Sequence, residues 1–412
     1  MASAKRITAI MKKYREEKKL VSKEERPWAN LHEALMESIM KKLYFCDHIR
    51  LRAVCKGWRS MYRVAPKQQP PWMMIFNNKE DNSEEENRFC YTLHDPVYNK
   101  FYSIAHNLEF LKAKNLNILA CKRGWLLVSE YKHGRYSLVL HNPFIKSPDN
   151  IIELPELNHA RLNIDVAAFS TTPTSSDCVF FTLQETSLDN VCISTCRLED
   201  EEWITQNFQI PYTFYPYYED QLSYQNRWKV AGRSPSRFIS SVVYSEGKFY
   251  CQTYDHRLTM FTVAEHDWKL KYAPLFFRGN LEVSLAKSEE GDILKIELIR
   301  LRDSEDPLIK VDCQELTHYT YISRLDPECS TWETVDGGFT GKLLFIGSCN
   351  VSISANAVRN RRFGENKTYA FWGNMNKQHF KICSKYRCPP YSRNNDFHPE
   401  EGHRMIWIEP PY

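Results

Sequence analysis

The stretch Ile239-Ser-Ser-Val-Val-Tyr, Glu246-Gly247, Lys248-Phe-Tyr-Cys-Gln-Thr, Arg257-Leu-Thr-Met-Phe-Thr-Val, Asp267-Trp268 decides the fold. Three runs rich in β-branched and aromatic residues follow one another at strand length. A turn at Glu246-Gly247 separates the first two, and a tryptophan closes the unit. The same order recurs upstream as Asp177-Cys-Val-Phe-Phe-Thr-Leu, Asn190-Val-Cys-Ile-Ser-Thr-Cys-Arg-Leu, Glu202-Trp203. It recurs downstream as Leu281-Glu-Val-Ser-Leu, Gly291, Asp292-Ile-Leu-Lys-Ile-Glu-Leu, His318-Tyr-Thr-Tyr-Ile-Ser-Arg-Leu, Thr331-Trp332. Trp203, Trp268 and Trp332 are thus spaced by 65 and 64 residues. An earlier unit lacks only its tryptophan: Ile118-Leu-Ala-Cys, Gly124-Trp-Leu-Leu-Val-Ser, Tyr136-Ser-Leu-Val-Leu, Ile151-Ile-Glu-Leu-Pro. Repeating four-stranded units with glycine hairpins and a closing aromatic are the signature of a β-propeller. Each such sheet buries its faces only against its neighbours, so the ring must be complete. The long period implies long inter-strand loops, and residues 70–412 hold about six or seven blades of that size. A pair of β-sandwiches is the alternative.

Upstream, the period changes. Arg26-Pro-Trp-Ala-Asn-Leu-His-Glu-Ala-Leu-Met-Glu-Ser-Ile-Met-Lys-Lys-Leu gathers Leu31, Leu35, Met36, Ile39, Met40 and Leu43 on one helical face. Asn30 is the expected N-cap, with Glu33 completing a capping box. A second helix start is expected at Asp47, leading Ile49, Leu51, Val54 and Cys55. Gly57 is expected to break it, with Trp58 as an anchor behind. About forty residues cannot bury such a stripe unaided, so it wants a partner, either the rest of the chain or another protein. Pro66-Lys-Gln-Gln-Pro-Pro then forms a linker. The expected domains are an arm at 1–25, a helical module at 26–64, a linker at 65–71 and a β-rich domain at 72–412.

Charge sharpens this division. The 412 residues carry 55 basic and 51 acidic side chains. Nine of the basic and four of the acidic ones lie in residues 1–30. The excess therefore belongs to the arm, which reads as an import or polyanion patch or as a solvated helix. The body lacks a dense basic stripe, which argues against nucleic-acid binding. No apolar run approaches the roughly 18–20 residues that cross a bilayer. The odd count of 13 cysteines, with no C-x-x-C pair and no apolar leader, reads as reduced thiols of the cytoplasm or nucleus.

Two resemblances attach to these residues. Trp28, Leu31, Leu35, Ile39, Leu43, Asp47, Arg50, Arg52-Ala-Val-Cys-Lys and Trp58-Arg59 resemble an F-box. One departure is His32, where F-boxes usually carry proline after the first leucine. The resemblance implies docking on the Skp-type adaptor of a cullin ubiquitin ligase, with Leu31, Leu35, Ile39, Leu43, Val54, Cys55 and Trp58 as contacts. The bland alternative is a helical subdomain packed on its own chain. Residues 70–412 resemble the plant F-box-associated domain of the KIB type. The markers are Pro71-Trp-Met-Met, Gly124-Trp125-Leu, Asn142-Pro143-Phe, Ile151-Ile-Glu-Leu-Pro, Val243-Tyr-Ser-Glu-Gly-Lys-Phe-Tyr, Trp332-Glu-Thr-Val, Leu344-Phe-Ile-Gly-Ser and Trp407-Ile-Glu-Pro-Pro. Together they imply a mainly β chain: a small α-helical F-box before a propeller that receives a target protein.

Catalytic motifs are absent from the sequence. Asp336 to Leu343 fails the spacing of a phosphate loop, and a hairpin explains it better. His32-Glu33 lacks the second histidine of a zinc protease, and no G-x-S-x-G elbow occurs. His379, Cys383, Cys388, His398 and His403 are a conceivable metal cluster, but unlinked thiols and surface histidines are the simpler account. We expect neither metal nor cofactor nor catalytic residue. An enzyme reading would need histidines or carboxylates converging on inner strand ends, and none stand in register. A ligase receptor needs no nucleophile: it holds a target lysine near a thioester carried by another subunit. A third reading is an interaction scaffold with a vestigial F-box.

Residues 211–237 are too long for an ordinary connection and are dense in tyrosine. Tyr, Trp and Arg are typical interface anchors, so Tyr215, Tyr217, Tyr218, Tyr224, Trp228 and Arg233 are the candidate target contacts. Packing of the same aromatics on the ring is the alternative.

Overall fold

The structure is a computed structural model. It describes residues 31–61, 64–67, 69–76, 89–98, 100–106, 117–145, 149–158, 164–186, 190–209, 239–253, 257–272, 281–288, 290–300, 318–335, 343–346, 351–354, 368–372, 379–383 and 404–410. These divide into two compact units, one ending before Gln69 and the other beginning there.

The first unit holds three short helices: α1 (Glu33–Met40), α2 (Phe45–Arg52) and α3 (Lys56–Arg59). Their ends differ from the sequence expectation. His32 caps α1, its Nδ1 accepting from the Ala34 amide at 3.3 Å. The cap therefore falls two residues after Asn30, which lies outside the described residues. Tyr44 precedes α2, so that helix starts before Asp47, which instead pairs with Arg50 at 2.9 Å. Gly57 does not break a helix but lies inside α3, whose N-terminal amide at Trp58 is capped by Cys55 Sγ at 3.4 Å.

The second unit is β throughout. Its first strands are β1 (Trp72–Phe76), β2 (Phe89–Asp95) and β3 (Lys100–His106). The next sheet is β4 (Asn117–Lys122), β5 (Trp125–Lys132), β6 (Arg135–His141), β7 (Ile151–Glu153) and β8 (Leu157–Asn158), the last pairing with β6. The third is β9 (Val166–Phe169), β10 (Val179–Glu185), β11 (Asn190–Arg197) and β12 (Ile204–Gln209). The fourth is β13 (Ile239–Ser245), β14 (Lys248–Thr253), β15 (Leu258–Thr262) and β16 (Asp267–Tyr272). The fifth is β17 (Leu281–Lys287), β18 (Ile293–Arg300), β19 (His318–Asp326) and β20 (Thr331–Thr334). Then come β21 (Leu343–Ile346), β22 (Val351–Ser354), β23 (Thr368–Trp372) and β24 (His379–Cys383), and finally β25 (Arg404–Ile408).

β25 does not start another sheet. It pairs antiparallel with β1, Met73 opposite Trp407 and Ile75 opposite Met405, and completes the first sheet in the order β25-β1-β2-β3. Five sheets follow the antiparallel order of a propeller blade. The sheet of β21–β24 departs from it, because β21 pairs with β23 in parallel. The expectation of six or seven regular blades is corrected accordingly: five are regular, and one further sheet is not.

Burial explains why the strands read as continuous apolar runs. All seven residues of β10 are buried. Phe180 packs with Trp125, Leu127 and Tyr136 of the preceding sheet. Its neighbours Val179, Phe181 and Leu183 pack with Phe249, Cys251 and Phe261 of the following one. A sheet buried on both faces against two different sheets is propeller packing; a sandwich sheet keeps one face in water. The repeated tryptophans act alike. Trp203 joins the cluster behind its own sheet and donates its indole N–H to the Pro155 carbonyl at 2.8 Å. Trp268 and Trp332 pack into the corresponding clusters one and two sheets later.

Candidate partner-docking site

α1 is amphipathic over only eight residues, and its apolar positions split between two directions. Met36 and Met40 are buried, whereas Leu35 is 57% and Ile39 40% exposed. Ile49 on α2 and Val54 just beyond it are exposed at 51% and 64%. Leu31, Leu43, Cys55 and Trp58 are half-buried. Burying an aliphatic side chain gains about 1.5–3 kcal/mol, so leaving several in water is a standing cost that a partner surface would remove.

The scaffold beneath is held by polar contacts. His48 is buried, and its Nε2 donates to the Met40 carbonyl at the end of α1 at 2.6 Å. A carbonyl only accepts, so the ring carries its proton on Nε2. Burial holds the His48 pKa below the ordinary 6.5, against the opposing pull of the carbonyl bond. Lys67 donates its amide to the Leu43 carbonyl at 2.7 Å and lays its ammonium over the Tyr44 ring at 4.9 Å, fastening the end of the module. Arg59 Nε reaches the Arg52 carbonyl at 3.4 Å.

His32 removes one difficulty of the sequence. Its φ of −58° and ψ of 137° are backbone values that a proline adopts without strain. The chain enters α1 with proline-like geometry although proline is absent.

In the β unit, Cys121, Cys178, Cys192, Cys196 and Cys251 are buried thiols outside any disulfide, and Cys329 is an exposed one. Burial pushes the thiols of Cys178, Cys192, Cys196 and Cys251 up, so they stay protonated and are poor nucleophiles. No group of three metal-ligating side chains occurs among the described residues. Of the conceivable metal cluster, Cys388, His398 and His403 lie outside the described residues, while His379 and Cys383 are the ends of β24. Tyr215, Tyr217, Tyr218, Tyr224, Trp228 and Arg233 also lie outside them, as does 336–342.

One grouping had no sequence signal. Lys122 ends β4, and its Nζ donates to the Ser170 carbonyl at 2.7 Å and the Phe169 carbonyl at 3.4 Å, where β9 ends. Arg123 beside it reaches Thr172 Oγ1 at 3.2 Å. Burial and the neighbouring Arg123 bring the Lys122 pKa down to about 8, with Glu409 opposing and Lys287 adding to the fall. These residues come from separate sheets, so no spacing along the chain connects them.

A short apolar helical module before a unit of repeated sheets defines an F-box protein with a β-propeller. The chain belongs to the KIB1-4 beta-propeller family, whose model matches residues 90–384, and an F-box domain model matches residues 28–61. An F-box/kelch-repeat protein of Arabidopsis thaliana is 25% identical over 411 residues, covering 93% of this chain and 95% of the relative. Two F-box proteins of the same plant are 28% identical over 242 residues (58% of this chain, 55% of the relative) and 27% over 266 residues (63% and 57%). Among solved structures, the Cps50 (Swd1) β-propeller domain of Myceliophteria thermophila covers 82% of this chain and 96% of its own at 12% identity and a TM-score of 0.32, too loose to bear on the fold.

Proposed function

We propose that the chain is the substrate-recognition subunit of a Skp–cullin–F-box type ubiquitin ligase of the cytoplasm or nucleus. The observation that carries this reading is the exposed apolar face of Leu35, Ile39 and Val54 on a chain that matches an F-box. The Skp-type adaptor covers that face, Leu31, Leu43, Cys55 and Trp58 adding their partly exposed edges. The propeller holds the target, and the chain contributes proximity rather than a chemical step. The propeller has five regular blades. Successive sheets touch through β25, β4, β9, β13, β17 and β22. Trp407 on β25 returns to the sheet of β21, donating to the Ile346 carbonyl at 3.2 Å. The segment carrying Tyr215, Tyr217, Tyr218, Tyr224, Trp228 and Arg233 is a target-contacting element in this reading.

Pull-down with the adaptor tests it. Leu35→Asp and Trp58→Ala should each abolish capture while the propeller melts as in wild type. Capture unaffected by both would refute the assignment. Deleting 214–228 should abolish target capture but leave adaptor binding, and normal target capture by the folded deletion would remove that segment from the proposal. A scaffold with a vestigial F-box predicts no adaptor capture by the wild type. The departure from proline at His32 favours that scaffold reading, and the proline-like φ there weakens it.

A further inference from the structure

β12 is the outermost strand of its sheet, in the order β12-β11-β10-β9, and among the described residues no strand lies on its far side. An outermost strand points half of its backbone N–H and C=O groups away from its neighbour, which makes it a template for another strand. A charged side chain on the edge opposes pairing with a second copy, because like charges then face each other. The outermost strands β3, β7, β16, β20 and β24 all carry such charges: Lys100, Glu153, Lys269 with Lys271, Glu333 and Lys381. β12 reads Ile204-Thr-Gln-Asn-Phe-Gln and carries none. Every residue of it except Phe208 is exposed.

We propose that this edge pairs with the same edge of a second copy of the chain, the two β12 strands lying antiparallel about a two-fold axis through Gln206. Such an axis stands normal to the continued sheet and keeps each face on its own side, so residues of like face oppose one another. Centred on Gln206, the register sets Ile204 against Phe208, Thr205 against Asn207, and Gln206 against itself. Each pairing is complementary. Aliphatic β-branched and aromatic side chains are a favourable cross-strand pair, and hydroxyls and amides both donate and accept. Phe208 is held in place by Phe261, whose ring it meets edge-on at 6.0 Å. Thr205 is held through its hydroxyl bond to Ser194 at 2.9 Å. The nearest charges along the chain, Glu201 and Glu202, precede the strand. In this register the two copies of Glu202 stand about 27 Å apart, where salt screens them. An edge of six residues covers less than the roughly 800 Å² per partner of a standard interface, so the dimer exchanges with monomer. Under the receptor reading, pairing would present two target surfaces on one assembly. The edge itself does not rest on that reading, because it is tested without the adaptor.

The test is sedimentation velocity of the full chain over a rising concentration series. Wild type should pass from monomer to dimer, equally at low and high salt. Gln206→Lys and Gln206→Glu change an exposed side chain and should melt as wild type. Each should weaken association about tenfold, because like charges meet at the axis. Their equimolar mixture should restore a dimer, now sensitive to salt, which a merely structural role for Gln206 would not produce. Protection of the 204–209 amides from hydrogen exchange should rise with chain concentration. A chain monomeric throughout the series, or a dimer indifferent to both Gln206 variants, overturns the proposal. Protection of those amides by a strand-forming peptide of alternating valine and threonine, without self-association, assigns the edge to an extended segment of another protein and overturns the second copy. Dimerisation with failed adaptor capture keeps the paired edge and removes the ligase reading.

Discussion

Two histidines of the helical module carry different kinds of information. His48 was not singled out by the helical period, yet it is buried and joins α2 to the end of α1 through the Met40 carbonyl. Its folded pKa lies below 6.5, so the unfolded chain binds the extra proton first. Its contribution to stability is therefore complete above about pH 6.5 and is lost as pH falls below that value. Protease protection of residues 31–61 in the full chain should decline from pH 7 to pH 5, and His48→Gln should flatten that decline. A pH-independent wild type would remove His48 from this role. His32 was legible in the sequence as a departure from the F-box pattern. Only the backbone shows that the departure is small: φ at −58° already suits proline. His32→Pro should cost about 1 kcal/mol or less, the worth of the lost cap on Ala34, and leave adaptor affinity unchanged. Loss of affinity would show that the imidazole itself touches the adaptor.

At the scale of single elements, strands were more legible than helices. The runs at 118–155, 177–203, 239–268 and 281–332 fall on β4 to β7, β10 and β11, β13 to β16 and β17 to β20, while β12 begins just after Trp203. Their apolar runs are nearly continuous because both faces are buried, and continuity survives without any knowledge of the partner sheet. β9 was missed: Val166–Phe169 is four residues long, too short to show a period. Helix ends were misplaced because caps depend on backbone angles, not on residue type alone. Phe181 on β10 is the sharpest test of the two-faced packing. Its ring stacks on Phe249 of the next sheet at 4.4 Å between centroids. Phe181→Ala should destabilise the β unit by about 3–5 kcal/mol, read from denaturant unfolding. Ile204 on β12 is half exposed, and Ile204→Thr should shift the same midpoint little. Equal effects would contradict the assignment of faces.

For the whole molecule, the decisive contact joins the two ends of the β unit. β25 supplies a strand to the sheet of β1, and Trp407 packs edge-on against Phe345 at 5.0 Å. A repeat architecture depends on each sheet covering its neighbours, so losing one seam exposes two faces at once. Removing residues 404–412 should therefore lower the melting temperature of the entire β unit rather than melt one sheet, as scanning calorimetry would show. A truncated chain with an unchanged main transition would show that closure is dispensable.

The sequence by itself determined the class of fold and its punctuation. Tryptophans near 64-residue spacing, Gly hairpins and unbroken apolar runs are local consequences of sheets buried on both faces. It also determined the apolar positions of the helical module, since 3.6-residue periodicity is a property of neighbours in the chain. It did not determine which of those positions stay in water, because Leu35 and Met36 read alike until other elements cover one and not the other. Nor did it determine the pairing of β1 with β25, the parallel pair in the sheet of β21, or the bond of Lys122 to the Ser170 carbonyl. Those depend on segments distant in the chain arriving at one place, which closure of the ring decides and local spacing does not record.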